Sequence, residues 1–370
     1  MKKKIGFILT SISVAIILTY FLVINISFDK TPILVDINGN REALGDISLN
    51  VTKDMDRYTG GAFTIAKDDV IKEGTYHSYE MMFNENVKDD KKFYRNNRSY
   101  GHEIYEGDNS RFSASLEYIT FDDRESYINI RYRDKNTNKY SSFQIETPNI
   151  SHILGVYSDG KNNKIVAEAN PKVWNCDIAI LDVNVENETF TVAQEITIKD
   201  TFKTKDVAML TNINGGSNSN SQSMVSDGNM YLLMTQKNGW GLGVVSINIF
   251  DGTITEYPHG FIYANIPSIY DNVAYFTIVN DTTQTIDIIS FNIEDNSFKE
   301  YRDLKFDSEI GESWNNGSAT NVRIVNDILY LGYYHGGKGF RNFINVVDLN
   351  TNKSLYLGEF TNSYLRDIKL

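Results

Sequence analysis

The chain has 370 residues, 41% of them hydrophobic, which is ample for one large all-β domain or two ordinary ones. A formal net charge of −12 argues against a nucleic-acid-binding protein, because neutralising phosphates takes a clustered basic surface and none follows the amino-terminal lysines. The single cysteine, Cys176, excludes an intramolecular disulfide, so the core alone must hold the fold.

Met1-Lys2-Lys3-Lys4 opens the chain, and an uncharged, mostly apolar run follows from Ile5 to Phe28. As a helix that run would extend about 36 Å, enough to cross the hydrocarbon core of a bilayer. The lysines keep the amino terminus in the cytoplasm. The run ends in Val23-Ile24-Asn25-Ile26-Ser27 without an A-x-A cleavage pattern, and no cysteine stands behind it to take a lipid. Residues 1–28 are therefore expected to be an uncleaved transmembrane signal anchor, with the rest of the chain outside the cytoplasm. Abundant Asn, Lys and Ile with only 5 prolines suit a bacterial chain.

Residues 29–44 read as a juxtamembrane linker. Within it Asp36-Ile37-Asn38-Gly39-Asn40 places oxygen ligands at alternate positions, but Gly39 stands too early for a calcium loop and Ile47 occupies the place of the closing glutamate. A turn is the expectation there. Cys176 reads as a small residue opening a strand.

From residue 45 to 370 the chain reads as strands and turns with no sustained helical period. An aromatic strand position is followed at a fixed interval by a polar turn: Tyr231 and Asp251, Tyr275 and Asp295, and Tyr330 and Asn350 are each 20 residues apart. The motif DKNTNK at Asp134 to Lys139 closely copies DLNTNK at Asp348 to Lys353, and 20 residues before Asn136 stands Leu116, giving a fourth unit in the same register. A looser fifth runs through Val166 to the turn at Glu186-Asn187-Glu188. These turns have the residue chemistry of hairpin connections. Their spacings of 51, 64, 44 and 55 residues allow one four-stranded sheet per interval. Runs that are apolar on both faces, Ile286 to Ile293 and Phe343 to Leu349, suit strands packed between neighbouring sheets.

The stretch VNDILYLGYYHGGKGFRNFINVVDLNTNKSLYLGEF, Val325 to Phe360, combines an aromatic strand, Gly336-Gly337, an apolar strand and an Asn-Thr turn, and resembles one Kelch blade. The chain as a whole resembles β-propellers of the broad Kelch, WD-repeat and quinoprotein-like type. That resemblance implies an all-β propeller of six blades, with seven as the alternative, spanning 45–370 after the transmembrane helix. Closure should use both termini, with Asn362 to Leu370 supplying an innermost or edge strand to a first blade made of GAFTIA, YHSYEMMF and KKFYRN.

The motifs that carry chemistry fail on inspection. Gly332 to Lys338 has the spacing of a phosphate-binding loop, yet Gly339 follows instead of Ser or Thr, and a strand comes next where a helix amino terminus is needed. His77, His102, His152, His259 and His335 are dispersed, with no pair at metal-ligand spacing. No G-x-S-x-G elbow occurs, and the pairs Asp89-Asp90 and Asp122-Asp123 sit in polar turns. No catalytic residue, metal site or cofactor is indicated. What remains is a recognition surface: Trp240 beside Asn238, Trp314 beside Asn315, and His335, all in glycine- or asparagine-rich stretches where exposed aromatics anchor ligands. The expectation is a binding or sensing module for a protein or envelope ligand, partnered by the membrane and another envelope or membrane protein. Two other classes stay open: an extracytoplasmic hydrolase or lyase with its site at a central funnel, and a structural subunit of an envelope complex. Converging His, Asp and Arg on innermost strands would mark the first, and a continuous apolar patch the second.

Overall fold

The computed structural model describes residues 33–54, 59–77, 102–118, 125–148, 150–169, 176–197, 207–212, 225–226, 228–236, 240–262, 268–280, 283, 285–305, 317–335 and 341–370. Strand β1 (Leu34–Gly39) is followed by β2 (Ser48–Asp54), β3 (Thr59–Ile65) and β4 (Val70–His77). Next come β5 (His102–Glu106), β6 (Ser110–Tyr118), β7 (Glu125–Asp134) and β8 (Tyr140–Pro148), then β9 (Ile150–Ser158), β10 (Asn163–Ala169), β11 (Ile178–Asn184) and β12 (Thr189–Ile196). The fourth group is β13 (Val207–Asn212), β14 (Val225–Ser226), β15 (Asn229–Gln236), β16 (Trp240–Asn248) and β17 (Ile254–Ile262). The fifth is β18 (Ser268–Tyr270), β19 (Val273–Asn280), β20 (Thr285–Asn292) and β21 (Ser297–Lys305). The last is β22 (Gly317–Val325), β23 (Ile328–His335), β24 (Arg341–Asp348), β25 (Lys353–Phe360) and β26 (Ser363–Lys369).

These strands form antiparallel sheets that follow one another along the chain, and we number them 1 to 6 in that order. Two exceptions to chain order join the ends. Sheet 1 runs β26-β2-β3-β4, so the carboxy-terminal strand is its first member, and sheet 6 runs β22-β23-β24-β25-β1, so the amino-terminal strand is its last. Contacts between sheets concentrate on the first strand of each, β5 with β9, β18 with β22, and β22 with β26. The sheets therefore converge along those edges in a propeller-like architecture. Five apolar cores join successive pairs: Phe112 and Ile130 with Ile165 and Leu181, Ile180 with Leu232 and Val245, Leu233 with Phe276 and Phe291, Ile288 with Leu331 and Val347, and Ile344 and Tyr356 with Leu49 and Ile368. Strands buried on both faces, such as β24 and β20, lie where the apolar runs predict them.

The expected carboxy-terminal strand is present. Its partners differ in part: Ala62 to Ile65 lie in β3, but the first pairing partner is β2, which the sequence reading omits, and β4 begins at Val70 before the expected stretch. The segment Lys91 to Asn96 lies outside the described residues. Residues 34–44, read as linker, instead form β1 and a 3-10 turn over Arg41–Leu44. The Asp36 carboxylate takes two hydrogen bonds from Arg41 and one from the buried Tyr356 hydroxyl. Among the described residues no helix is long and apolar enough to cross a membrane, and residues 1–28 lie outside them.

The aromatic repeat has a structural cause. Tyr231, Tyr275 and Tyr330 each occupy the third position of the second strand in their sheet, and all three are buried. Each donates its hydroxyl to a backbone carbonyl of the following sheet or its lead-in: Tyr231 to Ile293 at 3.4 Å, Tyr275 to Ile324 at 3.5 Å, and Tyr330 to Leu44 at 3.4 Å. The ring fills the core between sheets and the hydroxyl clasps the neighbour. Leu116 does not belong to this series, because β6 and β7 have 9 and 10 residues, which puts Phe112 at the equivalent place. Replacing Tyr275 or Tyr330 by Phe should lower the unfolding free energy by about 1 kcal/mol each, adding in the double variant. Urea denaturation measures this, and unchanged midpoints would show that the hydroxyls do not hold the sheets.

The turns repeat as closely. An Asp or Asn ends the third strand of five sheets and accepts hydrogen bonds from backbone N–H groups two or three residues on: Asp134 from Asn136 and Thr137, Asn184 from Glu186 and Asn187, Asn248 from Phe250 and Asp251, Asn292 from Glu294, Asp348 from Asn350. These are Asx turns. Four residues after each, the backbone turns left-handed, with φ of 61° at Asn138, 56° at Glu188, 76° at Gly252, 57° at Asn296 and 51° at Asn352. Asn and Gly tolerate that region, whereas Glu is strained there. Glu188→Asn should therefore raise stability by about 1 kcal/mol, read as an increase in urea midpoint; a decrease would count against the strain.

Candidate functional site

Antiparallel order makes the connections of each sheet alternate between two ends. At one end lie the Asx turns and the tight first hairpins, including Asp271-Asn272 and Asn326-Asp327, all four residues at positive φ. Backbone hydrogen bonds tie the two turns of a sheet together there: Lys135 to Asn109, Ile249 to Gly228, Ile293 to Asn272, and Leu349 to Asp327. The described connections at this end are short and bond their own polar groups; the interval between β13 and β14 is longer and lies outside the described residues. At the opposite end the intervals between strands are longer, as between β4 and β5, β12 and β13, or β21 and β22.

Two of the sequence-predicted residues stand at strand ends there. Trp240 is the first residue of β16, and His335 is the last residue of β23. Asn238, Trp314 and Asn315 lie outside the described residues, but the strands they precede, β16 and β22, also begin at this end. Strand β1 starts there as well, with Leu34 opposite Phe360.

Polar groups converge elsewhere, on the first strands of sheets 5, 6 and 1. Arg323 of β22 is buried and donates Nη1 to the Ile368 carbonyl at 2.8 Å and Nη2 to the Asp271 carboxylate, with its guanidinium 4.9 Å from the Tyr270 ring centre. Tyr270 donates its hydroxyl to Asn321 and accepts from the Ile368 amide. Asn321 in turn donates to the Leu365 carbonyl. Burial first, and the nearby Asp367 second, push the Tyr270 hydroxyl pKa far up, so it stays protonated. This is the residue chemistry of a catalytic cluster spent on closing the seam. Only Nε of Arg323 lacks a partner in it, and it is sealed from solvent.

Two of the dispersed histidines meet carboxylates, one on the neighbouring strand and one on the next sheet. His152 Nδ1 lies 3.0 Å from Glu168, which raises the imidazole pKa through that hydrogen bond against the lowering effect of burial. His259 Nε2 lies 2.8 Å from Glu300 across sheets 4 and 5, and its ring packs on Phe298. The first pairing comes from cross-strand register, with Glu168 opposite His152, and the second from the packing of one sheet on the next, so neither can be read from sequence spacing. Among the described residues no group of His, Cys, Asp or Glu could hold a metal ion. Cys176 is buried and free, and burial pushes its thiol pKa up, which keeps it unreactive.

Exposed carboxylates of the turns behave as local braces. Backbone and hydroxyl hydrogen bonds from Thr137 hold the Asp134 carboxyl below the usual range, and the Thr351 hydroxyl and nearby amides do the same for Asp348. Because the folded pKa values are depressed, this stabilisation is complete above the unfolded carboxylate pKa, about 4, and is lost as pH falls through the lower folded value. Thermal melting should therefore weaken in that acid range. Asp134→Asn, which installs the residue found at positions 184, 248 and 292, should keep the turn and flatten this acid response; an unaltered response would remove Asp134 from the account.

No family model matches the chain, and no curated protein matches it. Among solved structures, a variant of the Synechocystis apocarotenoid oxygenase is similar with a TM-score of 0.45 and 8% identity, over 90% of this chain and 94% of that one. TolB from Acinetobacter baumannii is similar with a TM-score of 0.34 and 8% identity, over 85% of this chain and 63% of that one.

Proposed function

We propose that the chain is a membrane-anchored, extracytoplasmic six-bladed propeller that binds a protein or envelope ligand through the rim opposite its Asx turns. The observation that supports this reading is the asymmetry between the two ends. One end carries repeated turns whose polar groups satisfy one another, broken by a single long interval between β13 and β14, while the other carries three long intervals and the ends of β16 and β23, with Trp240 and His335. Long connections on a rigid scaffold are where binding residues collect. The polar cluster on the first strands supports closure rather than catalysis, because its groups are bonded to one another across the seam.

The same rim lies close to the membrane on this reading. Ile33 already accepts a hydrogen bond from the Thr361 amide at 3.0 Å, so only the steps from Phe28 to Ile33 separate the apolar run from the scaffold. Fully extended they reach about 18 Å. A rim held that near a bilayer meets a membrane-embedded or membrane-bound partner before a freely diffusing one.

A photo-crosslinking residue placed in the full-length chain at position 240, and at exposed position 186 as control, tests this in membranes. Discrete adducts from position 240 alone are expected. Adducts equally from both positions, from 186 alone, or from neither would overturn the assignment of the rim. Release of the chain from membranes by alkaline carbonate would separately overturn the anchor.

A further inference from the structure

The fourth strand along each sheet is its outer edge, except in sheet 6, where β1 adds beyond β25. An outer edge offers a row of backbone N–H and C=O groups to any strand that arrives, and an extra residue in the strand bends and twists that row out of line. Five of the six fourth strands carry such a bulge. Glu73 is the extra residue of β4 and Ala193 that of β12, His259 and Gly260 of β17 face Leu242 alone, Arg302 and Asp303 of β21 face Asp287 alone, and Leu355 interrupts β25.

Strand β8 is the exception. It pairs with β7 in unbroken register, from Glu125 opposite Pro148 to Arg133 opposite Tyr140, and among the described residues no strand lies on its other side. The Asp134 amide donates to the Lys139 carbonyl at 2.9 Å, which fixes the alternation of the ladder. Odd-numbered residues of β8 turn their backbone groups toward β7, and Ser142, Gln144 and Glu146 turn theirs outward. All three are exposed, whereas Phe143 and Ile145 between them are buried in the core shared with sheet 3. Glu146 is the one charged residue in the strand, so charge guards this edge as little as shape does. Sheet 6 shows that a blade of this chain accepts a further strand on its outer side, with Leu34 to Gly39 laid against Tyr356 to Phe360.

We propose that β8 is a self-association edge, which pairs antiparallel with β8 of a second copy of this chain about a two-fold axis at Phe143. A second copy fits because the strand is complementary to itself in that register. Ser142 stands opposite Gln144, and Tyr140 opposite Glu146, so the single carboxylate meets a phenol instead of its own copy. Outward-facing residues oppose outward-facing residues, as the ladder requires, and the two Phe143 side chains continue one apolar face across the joint. The contact uses the same surface on both copies and closes at two. Bulges on the other outer edges stop further growth. The pairing is independent of the rim and of the anchor, and survives the failure of either.

The test coexpresses two differently tagged forms of the full-length chain, Ser142→Cys and Gln144→Cys, oxidises them mildly and reads disulfide-linked dimers on non-reducing gels. Cys176 is buried, and the chain without a new cysteine gives the background. In the proposed register position 142 of one copy lies opposite 144 of the other, with Cα atoms about 5.5 Å apart, inside disulfide range. Like positions lie diagonally, about 7 to 8 Å apart, outside it. The mixed disulfide should therefore exceed either same-site disulfide by about tenfold or more. Glu146→Pro, added to both forms, removes an outward N–H that β7 does not use; it should lower the mixed dimer about fivefold or more and leave the urea midpoint unchanged. No dimer above background, equal yields from the three pairings, adducts with other proteins alone, or a mixed dimer indifferent to Glu146→Pro would overturn the proposal. Should the proline shift the midpoint, the excess of mixed over same-site disulfide decides it alone.

Discussion

Removing residues 362–370 is expected to abolish cooperative unfolding of the domain. Strand β26 pairs with β2 from Ser48 opposite Lys369 to Lys53 opposite Ser363, and it buries Leu365 and Ile368 in the core shared by sheets 6 and 1. Losing two such side chains removes about 3 to 6 kcal/mol of apolar burial. Their departure also uncovers Leu49 and Val51, both buried against them, and leaves the β2 edge without ladder partners. Asn321, Asn342 and Arg323 then lose the carbonyls of Leu365, Ser363 and Ile368 that satisfy them in the interior. The sum is comparable with the whole stability of an ordinary domain, about 5 to 15 kcal/mol. Near-ultraviolet circular dichroism and urea titration of the truncated chain should show lost fixed tertiary packing and no sigmoidal transition. A truncated chain that melts as sharply as the intact one would mean that β26 is an appendage and that the ring is closed by other means. Substituting Ile368 by Asp within the intact chain separates the two effects, since the ladder remains while the core is broken; a large loss of stability is expected there too.

Much of this architecture is legible from the sequence because its signals are local. An Asx turn is written in five consecutive residues, with the capping carboxylate or amide at the first and a left-handed residue at the fifth, and it recurs at 134, 184, 248, 292 and 348. The apolar runs of β20 and β24 announce burial on both faces in the same way. Strand β2 is illegible for the opposite reason. It is short, ends in Lys53 and Asp54, and owes its place to a partner far along the chain, as the Thr52 contact with Tyr364 across 312 residues shows. Strand β1 is similar, since Leu34 and Val35 are followed only by Asp, Asn and Gly around one Ile, and only pairing with β25 makes them a strand.

The site divides along the same line. Tyr231, Tyr275 and Tyr330 stand out by period, but their hydroxyl acceptors belong to the next sheet and follow from packing. Trp240 and His335 stand out by composition, and the topology adds that they share an end. Asp271 and Arg323 are 52 residues apart and nothing local joins them.

That last pair supports a prediction whose sign runs against intuition. Arg323 has its side chain 7% exposed and Asp271 75% exposed, so the two partners of one ion pair differ in what each leaves behind. Replacing Arg323 by Met removes the buried charge together with its needs, leaving an exposed carboxylate that water solvates and one unsatisfied Ile368 carbonyl; the expected cost is about 1.5 to 3 kcal/mol. Replacing Asp271 by Asn keeps the left-handed turn, whose φ is 49°, but strands the guanidinium in the seam without its counter-charge. Breaking a buried pair from that side costs about 3 to 5 kcal/mol, reduced here toward the lower figure because the Ile368 carbonyl and the Tyr270 ring still hold the cation. The surface variant should therefore be the more destabilising one. The double variant Arg323→Met with Asp271→Asn should be more stable than Asp271→Asn alone, since the second change removes the charge that the first left uncompensated. Urea midpoints of the three chains decide it. If Arg323→Met proves the worst of the three, the seam is held by the shape and hydrogen bonds of the guanidinium, and its charge contributes little.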